Sequence, residues 1–458
     1  MPATSFDTVR PPSPPPPSGW IARLRTYHAF LHNLIGVVSQ RFETLGDIYY
    51  VPNADGLYVI RHPEHIREVL VTNAHCYAKT HSAFIRLGRV LGQGLLNSDG
   101  EVWRRHRRMI QPTFHKERLH VYSHMMVQEA TDMIERWRDG RQIDLGAELT
   151  RLTLRIVSRS LFSHEVGDDM GAITSAVTVL QDSFSQPDFL PRWMPSPRRT
   201  KAQRALRSID QVMYRLIASR RNGTRSDVVH EHGEAADLLQ RLIDARDEEG
   251  DGAGLSDKEI RDQLVTFFIA GHETTSHALT WIFYLLSQHQ DVTAKLHDEI
   301  KRVLGSRPPR FEDFDFLPYT EQIVKESMRL YPPVFAIARK AIADSQIGGY
   351  FVPAGSEVAI WIYMAHHDPR WFPRPEAFEP ARFTDRESLQ TMKNAYLPFG
   401  LGSRTCIGKT FATIEAVLIL ATVAQRYRLS LVPNHPITLK PRVTLTPKFG
   451  MKMIAHTR

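Results

Sequence analysis

The chain has 458 residues, 42% hydrophobic and 24% charged, enough apolar material for a large core and too much for wholesale disorder. Its formal charge of +8 favours acidic partners without naming one. Two cysteines, Cys76 and Cys406, stand far apart and outside any CxxC or Cys/His cluster, which argues against a disulfide framework or a structural zinc site, and no apolar run is long enough to span a membrane.

Residues 10–18 read RPPSPPPPS, a polyproline-like stretch that packs no core, so residues 1–18 are expected to be a disordered tail and 19–458 one folded domain. Residues 20–38 are apolar but interrupted by Arg23, Arg25, His28 and His32; the expectation is a first helix packed on the body, the alternative an amphipathic helix lying on a membrane surface. Residues 49–60 read as two short strands about the turn 53–56, and 63–71 as a helix with proline at its first position. From 100 to 304 apolar residues recur at three- and four-residue spacings, the mark of helices, with polar loops at 221–235 and 248–254. Beyond Pro332 come strand-like pieces such as 356–363 and clustered prolines, then a last helix over 409–427. The expected class is mainly α with small β-sheets, an α+β arrangement.

Chemistry concentrates in residues 399–408, FGLGSRTCIG. Gly400, Gly402 and Gly408 allow positive φ and close backbone approach, so several N–H groups are expected to face the sulfur and tune a thiolate. Arg404 offers a bidentate donor for a carboxylate, and the helix that follows turns its positive end toward the cysteine. Upstream, Ser256 and Glu259 form a capping box at the start of a long apolar-periodic helix. Its middle, AGHETTSH at 270–277, breaks the local rules. Gly271 costs about 1 kcal/mol against alanine, and a carboxylate there is costly unless paired or hydrated. Such a lapse inside a strong element points to function. Glu326 and Arg329 share a helical face and can pair.

The stretch 399–408 resembles the cysteine-ligand loop of the cytochrome P450 superfamily, FxxGxRxCxG, with Phe399, Gly402, Arg404, Cys406 and Gly408 matching. The resemblance extends over residues 46–452, and it implies that fold, with one haem-binding domain and haem b as cofactor. It makes Cys406 the iron ligand, whose electron donation favours O–O cleavage. It assigns Thr274 to hydrogen-bonding bound oxygen and Glu273 to proton delivery, with Ala270 and Gly271 beside the cofactor. Trp103, Arg107, Arg339 and Arg404 are implied as partners of the haem carboxylates, and Glu326, Arg329 and Arg382 as a structural ion network. Phe267, Ala270, Val334 and Phe335 would line the substrate pocket, under a covering loop at 77–92.

The implied activity is monooxygenation: an oxidoreductase acting on paired donors and placing one atom of O2 into a hydrophobic molecule, a terpenoid, fatty acid, steroid or polyketide. With no GxGxxG after a strand and no reductase domain, electrons are expected from an acidic ferredoxin or flavodoxin and its NAD(P)H-dependent reductase. Arg104, Arg105 and Arg108 flank Arg107, and the outward-facing ones are expected to form the docking patch. The expectation is a cytoplasmic monomer without a transmembrane anchor or nucleic-acid partner. Two alternatives stand beside it: a peroxide-using or rearranging haem-thiolate enzyme, and a basic nucleic-acid or membrane-surface binder.

Overall fold

The computed structural model describes residues 10–52, 55–79, 88, 91–162, 173, 175–176, 179–180, 194, 196–222, 237–250, 252–384, 390–392 and 394–458, without the side chains of 22–23 and 116–118. Most of the expected covering loop at 77–92, most of the polar loop at 221–235 and residues 1–9 of the expected tail lie outside the described residues. The fold is mainly helical with small sheets. The chain divides into two compact units: Met1–His81, Lys325–Cys406 and Leu439–Pro441 in one, Ser82–Val324, Ile407–Thr438 and Arg442–Arg458 in the other.

The first unit is built on a five-stranded sheet in the spatial order Ile48–Val51, Leu57–Ile60, Glu357–Ile360, Ile337–Ala341, Tyr77–Ala78. The first two strands are the expected hairpin, antiparallel with Val51 opposite Leu57 and Gly56 at φ +71° in the turn. Leu57–Ile60 then pairs in parallel with Glu357–Ile360. Apolar β-branched residues at Ile60, Val358 and Ile360 are fully buried and share a core with Leu397, just ahead of the glycine-rich loop. Pro12 is tied to this unit, its carbonyl accepting from the Tyr50 N–H at 2.8 Å.

One expectation is corrected here. Residues 20–38 do not form a single helix packed on the body. Asn33 leaves helical geometry at φ −146°, and its side chain accepts from the Gly36 N–H, starting a new helix. Among the described residues, only that second helix, Leu34–Leu45, buries side chains, Val38 and Phe42. The preceding Gly19–His32 leaves Trp20, Leu24 and Leu31 at 71%, 56% and 55% exposure.

The second unit is organised by the 32-residue helix Asp257–Gln288. At 1.5 Å per residue it is about 48 Å long. Its capping box is formed: Ser256 Oγ accepts from the Glu259 N–H, and the Glu259 carboxylate accepts from the Ser256 N–H at 2.8 Å. Leu264, Phe268, Thr275 and Leu279 are buried at helical spacing, and the helix packs against Leu145–Phe162. Gly271 is the close-approach point, where a Cβ would stand 2.8 Å from Val157 Cγ2. A three-stranded sheet, Gln142–Asp144, Lys452–Thr457 and Tyr427–Leu431 in spatial order, completes the unit.

Candidate functional site

In the first unit, Cys406 sits in a loop whose shape depends on its glycines. Gly400 and Gly402 both have φ +74°, and a Cβ on Gly402 would meet the Leu70 carbonyl oxygen at 2.2 Å. Gly402–Arg404 is a single 3-10 turn. The Cys406 N–H closes the loop on the Phe399 carbonyl at 2.9 Å, and the Thr405 N–H returns to Gly402 O at 3.1 Å. Those two amides are therefore spent on the loop itself, which narrows the expectation that several N–H groups serve the sulfur. Cys406 is exposed, and Lys409–Arg426 begins three residues later with Gly408 at its N-cap. Arg404 ends the turn, while Arg339 lies in a sheet strand, opposite Val358 and largely buried.

The segment leading into this loop is braced by His366, which sequence reasoning missed. Its Nε2 accepts from the Leu397 N–H at 2.8 Å, which leaves the proton on Nδ1 to donate to Arg329 O at 3.2 Å. Burial holds this imidazole well below its ordinary pKa and keeps it neutral. Arg329 and Glu326 are completely buried, with two hydrogen bonds between them at 2.7 and 2.9 Å. The remaining Arg329 donors go to the carbonyls of His366, Pro375 and Ala377, and Arg382 reaches Glu326 at 3.2 Å. Burial of an ion pair is tolerable only with its donors satisfied in this way. Val334 and Phe335 lie in this unit too, Phe335 against Trp361.

In the second unit, the helix Gly100–Ile110 places Trp103 and Arg107 one turn apart in a recess of about 410 Å³. Gln111, Pro112 and His115 share its lining, and Arg107 Nε donates to Gln111 Oε1 at 3.1 Å. The neighbouring arginines correct the docking expectation. Arg108 grips the buried Asp247 through Nε at 2.9 Å and Nη2 at 2.6 Å. Arg105 is committed to Glu259 at 2.8 Å and to Gly254 O at 2.7 Å. Only Arg104, paired with Glu101, projects mainly into solvent. The fully buried His106 bridges Glu259 and Gln263 at 3.1 and 3.0 Å. Burial would raise the Glu259 pKa, but hydrogen bonds from Ser256 and His106 and the Arg105 charge outweigh it and bring it to about 2.

The polar middle of the long helix is knitted locally. Thr274 Oγ1 donates back to Ala270 O at 2.8 Å and Thr275 Oγ1 to Gly271 O at 3.2 Å, the back-bonding that loosens a helix. Thr153 donates to His272 O at 2.9 Å from the facing helix. Glu273 accepts from Thr444 at 2.8 Å, a contact 171 positions distant in sequence. Phe267 packs on Phe114 with ring centres 5.6 Å apart. Thus Phe267, Ala270, Gly271, Glu273 and Thr274 share one helix, and Trp103 shares a recess with Arg107. Among the described residues no group of three His, Cys, Asp or Glu side chains could hold a metal ion, and no helix is long and apolar enough to cross a membrane.

Comparison with known proteins matches residues 11–453 to the family model described as Cytochrome P450. Cyclooctatin synthase of Streptomyces melanosporofaciens is 35% identical over 88% of this chain and 86% of its own length. Cyclooctat-9-en-7-ol 5-monooxygenase of the same organism is 36% identical over 82% of this chain and 81% of its own. Pentalenene oxygenase of Streptomyces avermitilis is 34% identical, covering 84% and 87% respectively.

Proposed function

Because this chain belongs to the cytochrome P450 family, whose members are haem-iron monooxygenases, we propose that it oxidises a terpenoid and that Cys406 is its iron ligand. The enzyme class and the haem-iron cofactor follow from the family. The residues present fit that group. The Gly402 cradle leaves no room for a side chain beneath the cysteine loop, and Cys406 is exposed at its end. A lone thiol would suit a metal whose other protein-independent ligands come with its own macrocycle. Arg107, Trp103 and His115 line one recess and would supply donors for carboxylates such as those of haem b; the family resemblance gives Arg339 and Arg404 the same role.

When bound, thiolate-ligated haem supplies reductive cleavage of dioxygen, with one atom passing to the substrate and one to water. The protein's own share is positioning and proton handling. The loop fixes the Cys406 backbone, its N–H donating to the Phe399 carbonyl, with Phe399, Gly402 and Gly408 shaping the turn. Thr274, already bonded to Ala270 O, offers a hydroxyl at the loosened part of the helix, and Glu273 one residue earlier carries the proton. Phe267, Val334 and Phe335 are apolar and suit a hydrocarbon skeleton.

The terpenoid assignment is carried by the relatives, two of which are named as oxygenases of cyclooctat-9-en-7-ol and of pentalenene and match more than four fifths of this chain. Electrons would come from separate proteins, a ferredoxin or flavodoxin and its NAD(P)H-dependent reductase, in the cytoplasm. The docking surface then rests on Arg104 and residues beyond the Gly100–Ile110 helix rather than on Arg105 and Arg108. Titrating the haem-loaded protein with a cyclic diterpene alcohol, a sesquiterpene and a long-chain fatty acid tests the substrate class. The expected result is a saturable Soret shift with at least one terpenoid at roughly tenfold lower concentration than the fatty acid requires. A shift with the fatty acid alone contradicts it.

A further inference from the structure

Glu273, His277 and Trp281 are spaced at i, i+4 and i+8 and share one stripe of the long helix. All three meet the same short piece of chain. Trp281 Nε1–H donates to Leu445 O at 3.0 Å, Thr444 donates to Glu273 Oε1 at 2.8 Å, and Thr444 Oγ1 lies 3.1 Å from His277 Nδ1. Thr444 is buried and ends a turn closed by the Arg442 N–H on its own carbonyl at 3.0 Å. Its position against the helix is therefore fixed from both sides.

We propose that His277 and Thr444 form a proton-entry relay into Glu273, in which His277 Nδ1–H donates to Thr444 Oγ1 and the Thr444 hydroxyl donates to the Glu273 carboxylate. This rests on the reading of Glu273 as the proton carrier and adds its supply line. The direction follows from counting hydrogens. A hydroxyl has one proton to donate, and an ionised carboxylate can only accept. With Thr444 donating to Glu273, the contact to His277 holds only if Nδ1 carries the ring proton. That leaves Nε2 with a free lone pair. Burial, aided by the nearby His272, holds the His277 pKa at about 4, so the ring is neutral near pH 7. Part of the residue remains accessible to solvent.

A proton taken from water at Nε2 then moves the Nδ1 proton to Thr444 Oγ1 and the Thr444 proton to Glu273. Three bonds to hydrogen form and three break, and no electron changes hands. The residue left behind is neutral His277 in its other tautomer, which resets by releasing and regaining one proton.

The first measurement is the 15N spectrum of His277 in the reduced, carbon-monoxide-bound holoenzyme, which is diamagnetic. The wild type should show a protonated Nδ1 and an unprotonated Nε2, and Thr444→Val should abolish that preference while Thr444→Ser keeps it. The second is the share of oxygen released as peroxide during NAD(P)H-driven turnover with a surrogate ferredoxin and reductase. Thr444→Val should raise that share several-fold and Thr444→Ser should restore it. A wild-type ring protonated at Nε2 overturns the relay, and so does a Thr444→Val enzyme with wild-type peroxide release. Glu273→Gln separates the two levels. If it raises peroxide release while Thr444→Val does not, the relay fails and Glu273 stands; if neither variant does, the reading of Glu273 fails with it.

Discussion

Glu415, on the helix after the cysteine loop, is fully buried, and neither carboxyl oxygen reaches a partner at hydrogen-bond length. Burial pushes its pKa up to about 8, against a weaker opposing pull from the nearby Thr275 hydroxyl. The carboxyl is therefore neutral in the folded protein near pH 7, while in the unfolded chain it ionises near 4.5. Between those values the folded state binds one more proton than the unfolded state. Its stabilisation is complete below the unfolded pKa and is lost as pH rises through the folded one. Urea-melt stability of the wild type should fall between pH 5 and pH 8. Glu415→Gln should flatten that fall and exceed the wild type at pH 8. A variant that loses stability as steeply as the wild type would show that Glu415 is not the titrating group. Residues of this kind were not legible in the sequence. A glutamate within KTFATIEAVLIL looks like one polar residue on an apolar helix, and only the packing tells whether it meets water. The turn around Cys406 was legible for the opposite reason: it is specified by residues all within ten positions of it.

At the scale of elements, what is local could be read and what is distant could not. The Ser256–Glu259 capping box and the Gly56 hairpin turn depend on neighbours three or four positions away, and both formed as expected. The Glu326–Arg329 pair was visible as a shared helical face, but its saturation by the carbonyls of His366, Pro375 and Ala377 was not. His366 itself, joining that helix to the segment before the cysteine loop, carried no local signal, because its partners are backbone groups 31 and 37 positions away. The arginine helix misled for the same reason. WRRHRRM looks like a solvated basic face, yet Arg105 and Arg108 find Glu259 and Asp247, 154 and 139 positions downstream. The break at Asn33 was missed because asparagine is tolerated within helices and acts as a cap only when the chain turns there.

For the molecule as a whole, the +8 charge and the exposed stripe of Gly19–His32 belong together. Trp20, Leu24, Tyr27 and Leu31 fall on one side of that helix and are all exposed, with Arg25, His28 and His32 beyond the stripe. No acidic residue occurs between Asp7 and Glu43. We propose that this exposed stripe contacts a lipid headgroup layer, the alternative reading of residues 20–38. The protein should co-sediment with vesicles containing phosphatidylglycerol more than with pure phosphatidylcholine vesicles, and Leu24→Glu should abolish the difference. Equal recovery of wild type and variant with both vesicles contradicts this use of the helix.

The account turns on Cys406, since family membership requires haem but the assignment of its ligand rests on one loop of this chain. The most direct measurement is the absorption spectrum of the purified, haem-loaded protein, reduced with dithionite and exposed to carbon monoxide, for the wild type and Cys406→Ser. The account predicts a strongly red-shifted Soret band in the wild type, the mark of a thiolate opposite carbon monoxide, and its loss in the variant even where haem is retained. A variant that keeps the red-shifted band, or a wild type that binds haem without it, would remove Cys406 from the iron and with it the mechanism built on that loop.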